Sequence, residues 1–148
     1  MGEVVIMGAN YRQLAEFTEK IERLSSEQKE EFLEACCKEL AARLLAKVIK
    51  RTPSDSGTLR RGWTGGRSQS ATSYANSVDI RHVGNKYHID ITNPVEYASY
   101  VEYGHRTANH QGWVNGKFML TISEQELNSM SDAILQKKLN KFMKDVFT

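Results

Sequence analysis

The residues that interrupt regular structure are confined to the middle of this chain. Both prolines and eight of the ten glycines lie between Thr52 and Gly116, with all four histidines and both tryptophans. The sequence on either side is rich in Glu, Lys, Leu and Ala, residues that favour helices. This distribution predicts helical flanks around an irregular or β-rich centre.

The composition is that of one globular domain, and we predict a single domain over 1–148. That length supports one hydrophobic core, and the contents of 40% hydrophobic and 26% charged residues are ordinary. A net charge of +2 is too small to indicate nucleic acid or an acidic membrane surface. No apolar run of about 18 residues and no signal-peptide pattern is present, so no membrane partner is expected.

The amino-terminal flank predicts two helices, over 10–24 and 26–51. Apolar residues recur at helical spacing in both stretches. Ser25 and Gln28 form a capping-box pattern at the start of the second helix, and the residue before Pro53 ends it. This second helix is predicted to be the main element of the core.

Residues 53–76 have the Gly/Ser-rich composition of a long flexible loop that is also basic. Two interpretations stay open. One is a mobile surface loop. The other, which we favour, is a segment that becomes ordered on a partner, with Trp63 as the anchor and Arg60, Arg61 and Arg67 as charged contacts.

The pattern changes to alternation over 77–92, which predicts a β-hairpin with its turn near Gly84. A second polar loop is predicted over 105–117, in which Trp113-Val114 could begin another strand. Alternation and turn residues make this central part the sheet-forming region.

A carboxy-terminal strand or helix is predicted over 118–147. The pattern leaves Phe118–Ile122 undecided between the two, and Ser123 with Glu126 forms a second capping-box pattern before a clear helix. The chain is therefore predicted to be α+β, with a small antiparallel sheet, a long helix and a C-terminal helix packed on one face, and a long extended loop.

Three tyrosines lie close together in the stretch 94–104, which predicts a short helical segment with Pro94 in its first turn and Gly104 at its end. Tyrosine-rich surfaces are typical of contacts with another protein. The candidate protein-interaction residues from both basic and tyrosine-rich segments are Arg60, Arg61, Trp63, Arg67, Glu96, Tyr97, Tyr100, Glu102, Tyr103, His105 and Arg106.

The sequence contains no pattern typical of an active site. His82, His88, His105 and His110 have no metal-ligand spacing, and a solvated polar sheet face explains the first two. The adjacent cysteines at 36 and 37 are expected to be buried free thiols. We expect no catalytic residue, no cofactor and no metal.

Three blocks of the sequence together resemble one protein family. They are Thr52-Pro53-Ser54-Asp55-Ser56-Gly57-Thr58-Leu59-Arg60 after a long helix, the stretch Asn93 to Gly104, and Phe118-Met119-Leu120 before a long terminal helix. In this order they resemble the HK97 gp10-like proteins of tailed bacteriophages and phage-derived elements. The chain departs from that pattern in His105-Arg106-Thr107 and in Gly112 to Lys117.

The resemblance implies a structural protein and not an enzyme. It implies a tail-completion or terminator protein, or a head–tail joining (neck) protein, that forms a ring, usually of six subunits. The implied partners are further copies of the chain, the tail tube or tail terminator, and connector proteins. The implied locations are the bacterial host cytoplasm during assembly and then the virion or a phage-like particle.

A ring subunit needs two complementary patches, one for each neighbour. We hypothesise that the acidic, tyrosine-rich segment and the basic loop are these patches, or that one of them meets the next layer of the tail. Two alternatives are a nucleic-acid-binding protein that uses Arg60, Arg61 and Arg67, and a small metal-dependent hydrolase that uses the histidines.

Overall fold

A computed structural model of the chain describes residues 4–5, 25–54, 57–84 and 86–147. The elements in chain order are β1 (Val4–Val5), α1 (Ser26–Arg51), α2 (Thr58–Gly62), α3 (Ala71–Ser77), β2 (Arg81–Val83), β3 (Lys86–His88), β4 (Asp90–Ile91), α4 (Ala98–Tyr103), β5 (Gly104–Arg106), β6 (Trp113–Asn115) and α5 (Met119–Phe147). The α+β class predicted from the sequence is confirmed. The helix predicted over 10–24 lies outside the described residues.

The long helix α1 forms as the sequence predicts, over 26–51. Both hydrogen bonds of the capping box are present: the Gln28 amide donates to Ser25 Oγ, and the Ser25 amide donates to the Gln28 side chain. One face of α1 is buried along its length, through Phe32, Cys36, Cys37, Leu40, Ala41, Leu44, Leu45 and Val48. The helix is therefore the centre of the hydrophobic core.

The helix α5 lies antiparallel to α1 and is held to it at both ends. Near one end the rings of Phe32 and Phe142 stack with their centroids 4.7 Å apart. Near the other end, Glu126 accepts hydrogen bonds from Arg51 and from Lys47, the latter at 3.1 Å. Ion pairs and aromatic stacking thus align the two longest helices of the described chain.

The flexible loop predicted over 53–76 is a wrong prediction for the two helical stretches within that segment. Helices α2 and α3 occupy much of it, and Ser70 caps α3 by accepting a hydrogen bond from the Ser73 amide at 3.1 Å. The physical reason is packing: Ala75 of α3 is fully buried, and α3 packs against α1. The Gly/Ser-rich composition therefore reflects close packing and local caps.

Trp63 is not the exposed anchor that the sequence predicts, because its side chain is fully buried. Its indole Nε1 donates a hydrogen bond of 2.9 Å to Thr52 Oγ1, just beyond α1. The Thr52 hydroxyl in turn donates to the Val48 carbonyl at 2.7 Å, and the Thr52 carbonyl accepts from Arg60 Nε at 2.8 Å. Thr52 thus connects the end of α1 to α2 and to the following turn.

The strands form three separate antiparallel pairs, β1 with β4, β2 with β3 and β5 with β6. The hairpin predicted over 77–92 is confirmed in its core, where Arg81 pairs with His88 and His82 with Tyr87. Its first residues differ from the prediction, since Ser77 ends helix α3. The strand β4 pairs with β1 instead of extending the hairpin.

The buried position of Trp63 predicts a large loss of stability on truncation. Trp63→Ala should lower the free energy of unfolding by about 3–5 kcal/mol, since it leaves a cavity and removes the hydrogen bond from the indole to Thr52 Oγ1. Urea denaturation followed by circular dichroism measures this. The matched control is Trp113→Ala, at a side chain that is 59% exposed, for which we expect a change within about 0.5 kcal/mol. Equal losses in the two variants would contradict the assignment.

The ion pairs at Glu126 predict a pH-dependent contribution to stability. Hydrogen bonds from Arg51 and Lys47 hold the pKa of Glu126 below its ordinary value. A lowered folded-state pKa stabilises the fold above the ordinary carboxyl pKa, and this stabilisation is lost as the pH falls through the lowered value. Glu126→Gln should therefore reduce stability at neutral pH and match the wild type in acid.

Urea titrations across pH measure that difference. The control is Glu39→Gln, because Glu39 pairs only within α1, with Arg43 at 3.1 Å, and exposed pairs of this kind contribute little. If the difference in free energy of unfolding between the wild type and Glu126→Gln did not change with pH, the ion pairs would not be its cause.

Candidate protein-interaction surface

Helix α4 and its amino-terminal cap carry three exposed tyrosines, which we call the tyrosine surface: Tyr97, Tyr100 and Tyr103. Their side chains are 42%, 58% and 54% exposed. They recur at steps of three residues, which places them along adjoining parts of the outer side of a helical segment. Ala98, between them in sequence, is fully buried and anchors the helix to the core. The predicted exposure of tyrosines here is observed.

The predicted carboxy-terminal end of α4 is confirmed, and its predicted start is wrong. The helix ends at Gly104, whose φ of 89° lies in the region that favours glycine. The prediction that Pro94 occupies the first turn is wrong, because α4 begins at Ala98 with Tyr97 as its cap. The residues before it follow a turn set by Asn93, whose Oδ1 accepts a hydrogen bond from the Val95 amide at 3.1 Å.

Glu102 is the acidic residue of α4 that the sequence predicts on the surface, and it is instead fully buried. Its carboxylate accepts hydrogen bonds from the Leu120 amide at 2.8 Å and from the amide and hydroxyl of Thr121 at 3.0 and 2.8 Å. These amides belong to the first turn of α5, where free donors and the helix dipole favour an anion. Glu102 is therefore the cap of α5, supplied from another helix.

The backbone reinforces this junction. The Phe118 amide donates to the Glu102 carbonyl at 3.0 Å, and the Lys117 amide donates to the Val101 carbonyl at 2.7 Å. Gly116 lies so close to the end of α4 that a Cβ there would collide with the Glu102 carbonyl and the Tyr103 backbone. The tyrosine surface is thus rigidly attached to the start of α5.

The cap also corrects the predicted start of the C-terminal helix. The capping box expected at Ser123 and Glu126 is wrong, because α5 already begins at Met119 and Phe118–Ile122 is helical from its second residue. Ser123 is buried within the helix, and its hydroxyl donates to the Met119 carbonyl at 2.6 Å. The sequence does hold a sign of this: residue 118 is Phe, which cannot cap a helix through its side chain, so a cap had to come from elsewhere.

Burial and the nearby charge of Glu102 raise the pKa of Glu124, in that order of importance. Glu124 lies one turn further along α5 than the amides that bind Glu102. The charged form of the Glu124 carboxylate is therefore less favourable than the charged form of an ordinary surface glutamate. The junction itself depends on the one carboxylate that the helix amides neutralise.

The hairpin of β5 and β6 continues directly from α4 and has two different faces. Cross-strand partners share a face, so His105 and Val114 lie on one side and Arg106 and Trp113 on the other. The His105 ring lies 5.6 Å from that of Tyr100, so the first face adjoins the tyrosine surface. The His105 Nδ1 hydrogen-bonds to the Arg106 carbonyl at 2.8 Å, which fixes the ring.

The basic residues of the predicted loop divide into one used internally and two on the surface. Arg60 is half-buried and binds Thr52, whereas Arg61 and Arg67 are exposed. Asn93 brings α2 next to the chain that leads into α4, because its Nδ2 donates to the Leu59 carbonyl at 2.7 Å. Of the three arginines on which the nucleic-acid alternative depends, two are therefore exposed. Two further candidate interaction residues, Glu96 and Arg106, are also exposed.

The described residues hold no group of three or more His, Cys, Asp or Glu side chains arranged to bind a metal ion. His82 stacks on its cross-strand neighbour Tyr87, with ring centroids 4.2 Å apart. Cys36 and Cys37 are buried free thiols, as predicted, and burial raises the pKa of Cys36 to about 12 and that of Cys37 to about 11. Thiols in this state are weak nucleophiles at neutral pH.

The tyrosine surface is large enough to matter for binding. Aromatic side chains bury about 150–250 Å² each when fully enclosed, so three half-exposed tyrosines present on the order of 300 Å². Exposed patches of that size on a monomer often mark interaction sites.

No helix in the described part of the chain is long and apolar enough to cross a membrane.

Residues 15–104 match the model of a family described as "Bacteriophage HK97-gp10, putative tail-component". The matched region is more than half of the chain and includes both the Thr52–Arg60 block and the Asn93–Gly104 block. It ends at the junction of α4 and β5. No curated protein and no solved structure matches the chain significantly.

The cap at Glu102 predicts the effect of removing one charge. Glu102→Gln keeps the shape but directs an amide group at the α5 amides, and it should lower the free energy of unfolding by about 1–3 kcal/mol. Denaturant unfolding at neutral pH measures this. Glu96→Gln, an exposed change two turns earlier in the same segment, is the control and should have little effect. If both variants were as stable as the wild type, Glu102 would not support α5.

Proposed function

Because the chain belongs to the HK97 gp10-like family, we propose that it is a structural subunit of a phage tail or neck that assembles into a ring. In this role it completes or terminates the tail, or joins the tail to the head. The ring contains several copies of this chain, most simply six, and its other partners are the tail tube or terminator and connector proteins. Assembly takes place in the bacterial host cytoplasm, and the product belongs to a virion or phage-like particle.

The tyrosine surface is the observation that carries this proposal. Three exposed tyrosines lie on a helix that Glu102 fixes to α5 and Ala98 fixes to the core, so their geometry is set before any partner arrives. A preorganised aromatic surface binds with a small entropic cost. A preorganised surface therefore suits a subunit that fits between rigid neighbours in a tail better than a mobile surface does.

The contact we assign to the tyrosine surface is with the adjacent protein layer of the tail or connector. Exposed charges that could accompany it are Glu96 on the α4 segment and Arg61 and Arg67 on the basic segment. Tyrosine and arginine are enriched among the residues that dominate binding energies at protein interfaces. The buried Glu102 supports the surface from within.

Deletion of the gene from the phage or phage-derived element that encodes it tests the function. We expect particles with unfinished tails or tails detached from heads in electron micrographs, and rescue by the wild-type gene. Complementation with Tyr100→Ser together with Tyr103→Ser should restore few complete particles, because loss of a central contact costs about 2 kcal/mol, or about 30-fold in affinity.

The matched control is Val83→Ser, which removes an equally exposed apolar side chain from the other hairpin, where it is 63% exposed. That variant should rescue as the wild type does. Complete, joined tails in particles that lack this protein would refute the proposed function.

A further inference from the structure

The second face of the β5–β6 hairpin is exposed and carries a tryptophan beside an arginine. Trp113 is 59% exposed, and all three residues of β6 are exposed. Arg106 lies directly across the ladder from Trp113, so the two side chains project from the same face. Tryptophan and arginine are the side chains most enriched at the energetic centres of protein interfaces.

This hairpin is held in one shape by its own hydrogen bonds. At the tip, the Thr107 amide donates to the Gly112 carbonyl and the Gly112 amide donates to Thr107 Oγ1, each at 3.0 Å. The Asn109 side chain closes the turn by accepting from the Gln111 amide, also at 3.0 Å. At the base, Gly104 leaves room for the Trp113 ring, which lies against it. The projecting element is therefore preorganised for docking.

A groove of matching chemistry lies at the other end of the molecule, between α1 and α5. It has a volume of about 190 Å³ and contains the stacked pair Phe32 and Phe142. Its remaining lining residues are Glu31, Ala35, Lys138, Lys141 and Asp145. Since a cavity of about 150 Å³ can hold a benzene ring, the groove has room for part of an indole.

The groove carries two carboxylates that can pair with Arg106, together with two lysines. The chain contains no acidic residue between Glu102 and Glu124, so the hairpin presents Arg106 without a neighbouring carboxylate in sequence. The carboxylates of Glu31 and Asp145 in the groove can pair with an arginine. The lysines of the groove can lie over the face of an indole. An aromatic floor with both kinds of charge at its rim suits a Trp–Arg pair.

The hairpin cannot reach the groove of its own chain. The groove begins at Lys138 on α5, which is about 30 Å along the helix from Met119 at a rise of 1.5 Å per residue. The hairpin is attached at the start of α5, and its three-residue strands are only about 10 Å long. Any contact between the two must therefore join different molecules.

We propose that the Trp113–Arg106 face of this hairpin docks into the α1–α5 groove of a second copy of the chain. Two different patches then meet in a head-to-tail contact, which closes into a ring or extends as a filament. The inference rests on the self-assembly in the proposed function and names the surfaces that mediate it. Tyr100 of the tyrosine surface adjoins the opposite face of the hairpin from Trp113 and stays free for the adjacent layer.

Light scattering and sedimentation of the purified full chain over a concentration series test the contact. The wild type should form species larger than its 16.8 kDa monomer, up to a closed ring. Trp113→Ser removes the inserted side chain, and Ala35→Arg fills the groove from an exposed helical position. Each should weaken association by about 30-fold or more.

A mixture of the two variants gives the sharpest result. Trp113→Ser keeps an intact groove and Ala35→Arg keeps an intact hairpin, so together they should form dimers and nothing larger. The controls are Val83→Ser, on the other hairpin, and Ala46→Arg, at an exposed position on α1 outside the groove. Both controls should assemble as the wild type does. At protein concentrations where the wild type is monomeric, all four variants should unfold at the wild-type urea concentration, which shows that the monomer fold is intact.

Three results would overturn the proposal: a wild type that stays monomeric at millimolar concentration, single variants that assemble normally, or a mixture that forms no dimer. None of these results affects the gene-deletion experiment, which measures whether tails are completed. A failure of the docking contact can thus be told apart from a failure of the proposed function.

Discussion

The carboxylate of Glu102 holds together the part of the molecule that carries the tyrosine surface. The side chain points from α4 towards the interior, and its carboxylate accepts hydrogen bonds from the Leu120 and Thr121 amides at the start of α5. A buried carboxylate is costly unless it is paired, and a helix N-terminus is one of the few neutral environments that pairs it. The sequence predicts Glu102 on a tyrosine-rich surface, whereas in the structure it caps and orients a 29-residue helix.

Several consequences follow from that one junction. The tyrosine surface and the β5–β6 hairpin both lie next to it, so both keep a fixed position relative to α5. The far end of α5 carries the groove with Phe142, and the ion pairs of Glu126 keep α5 aligned with α1 in between. A subunit with contact surfaces at two ends of one rigid helix is suited to repeated assembly, because every copy presents its surfaces at the same spacing.

The end of α1 shows a similar use of one polar residue. Thr52 receives the indole of Trp63 and the guanidinium of Arg60, and so folds a Gly/Ser-rich segment onto the core. The composition of that segment is typical of loops and therefore predicts a loop. The spacing of Leu59, Gly62 and Trp63 is helical, and that signal could have identified α2 before the structure did.

The sequence by itself determined the features that depend on neighbours along the chain. Helix α1 with its capping box, the β2–β3 hairpin, the end of α4 at Gly104 and the exposed tyrosines all follow from local spacing and side-chain chemistry. Only the tertiary structure decided which polar residues turn inward. Glu102 and Trp63 bind partners 18 and 11 residues away, and such pairings depend on how helices pack, which short-range patterns do not encode.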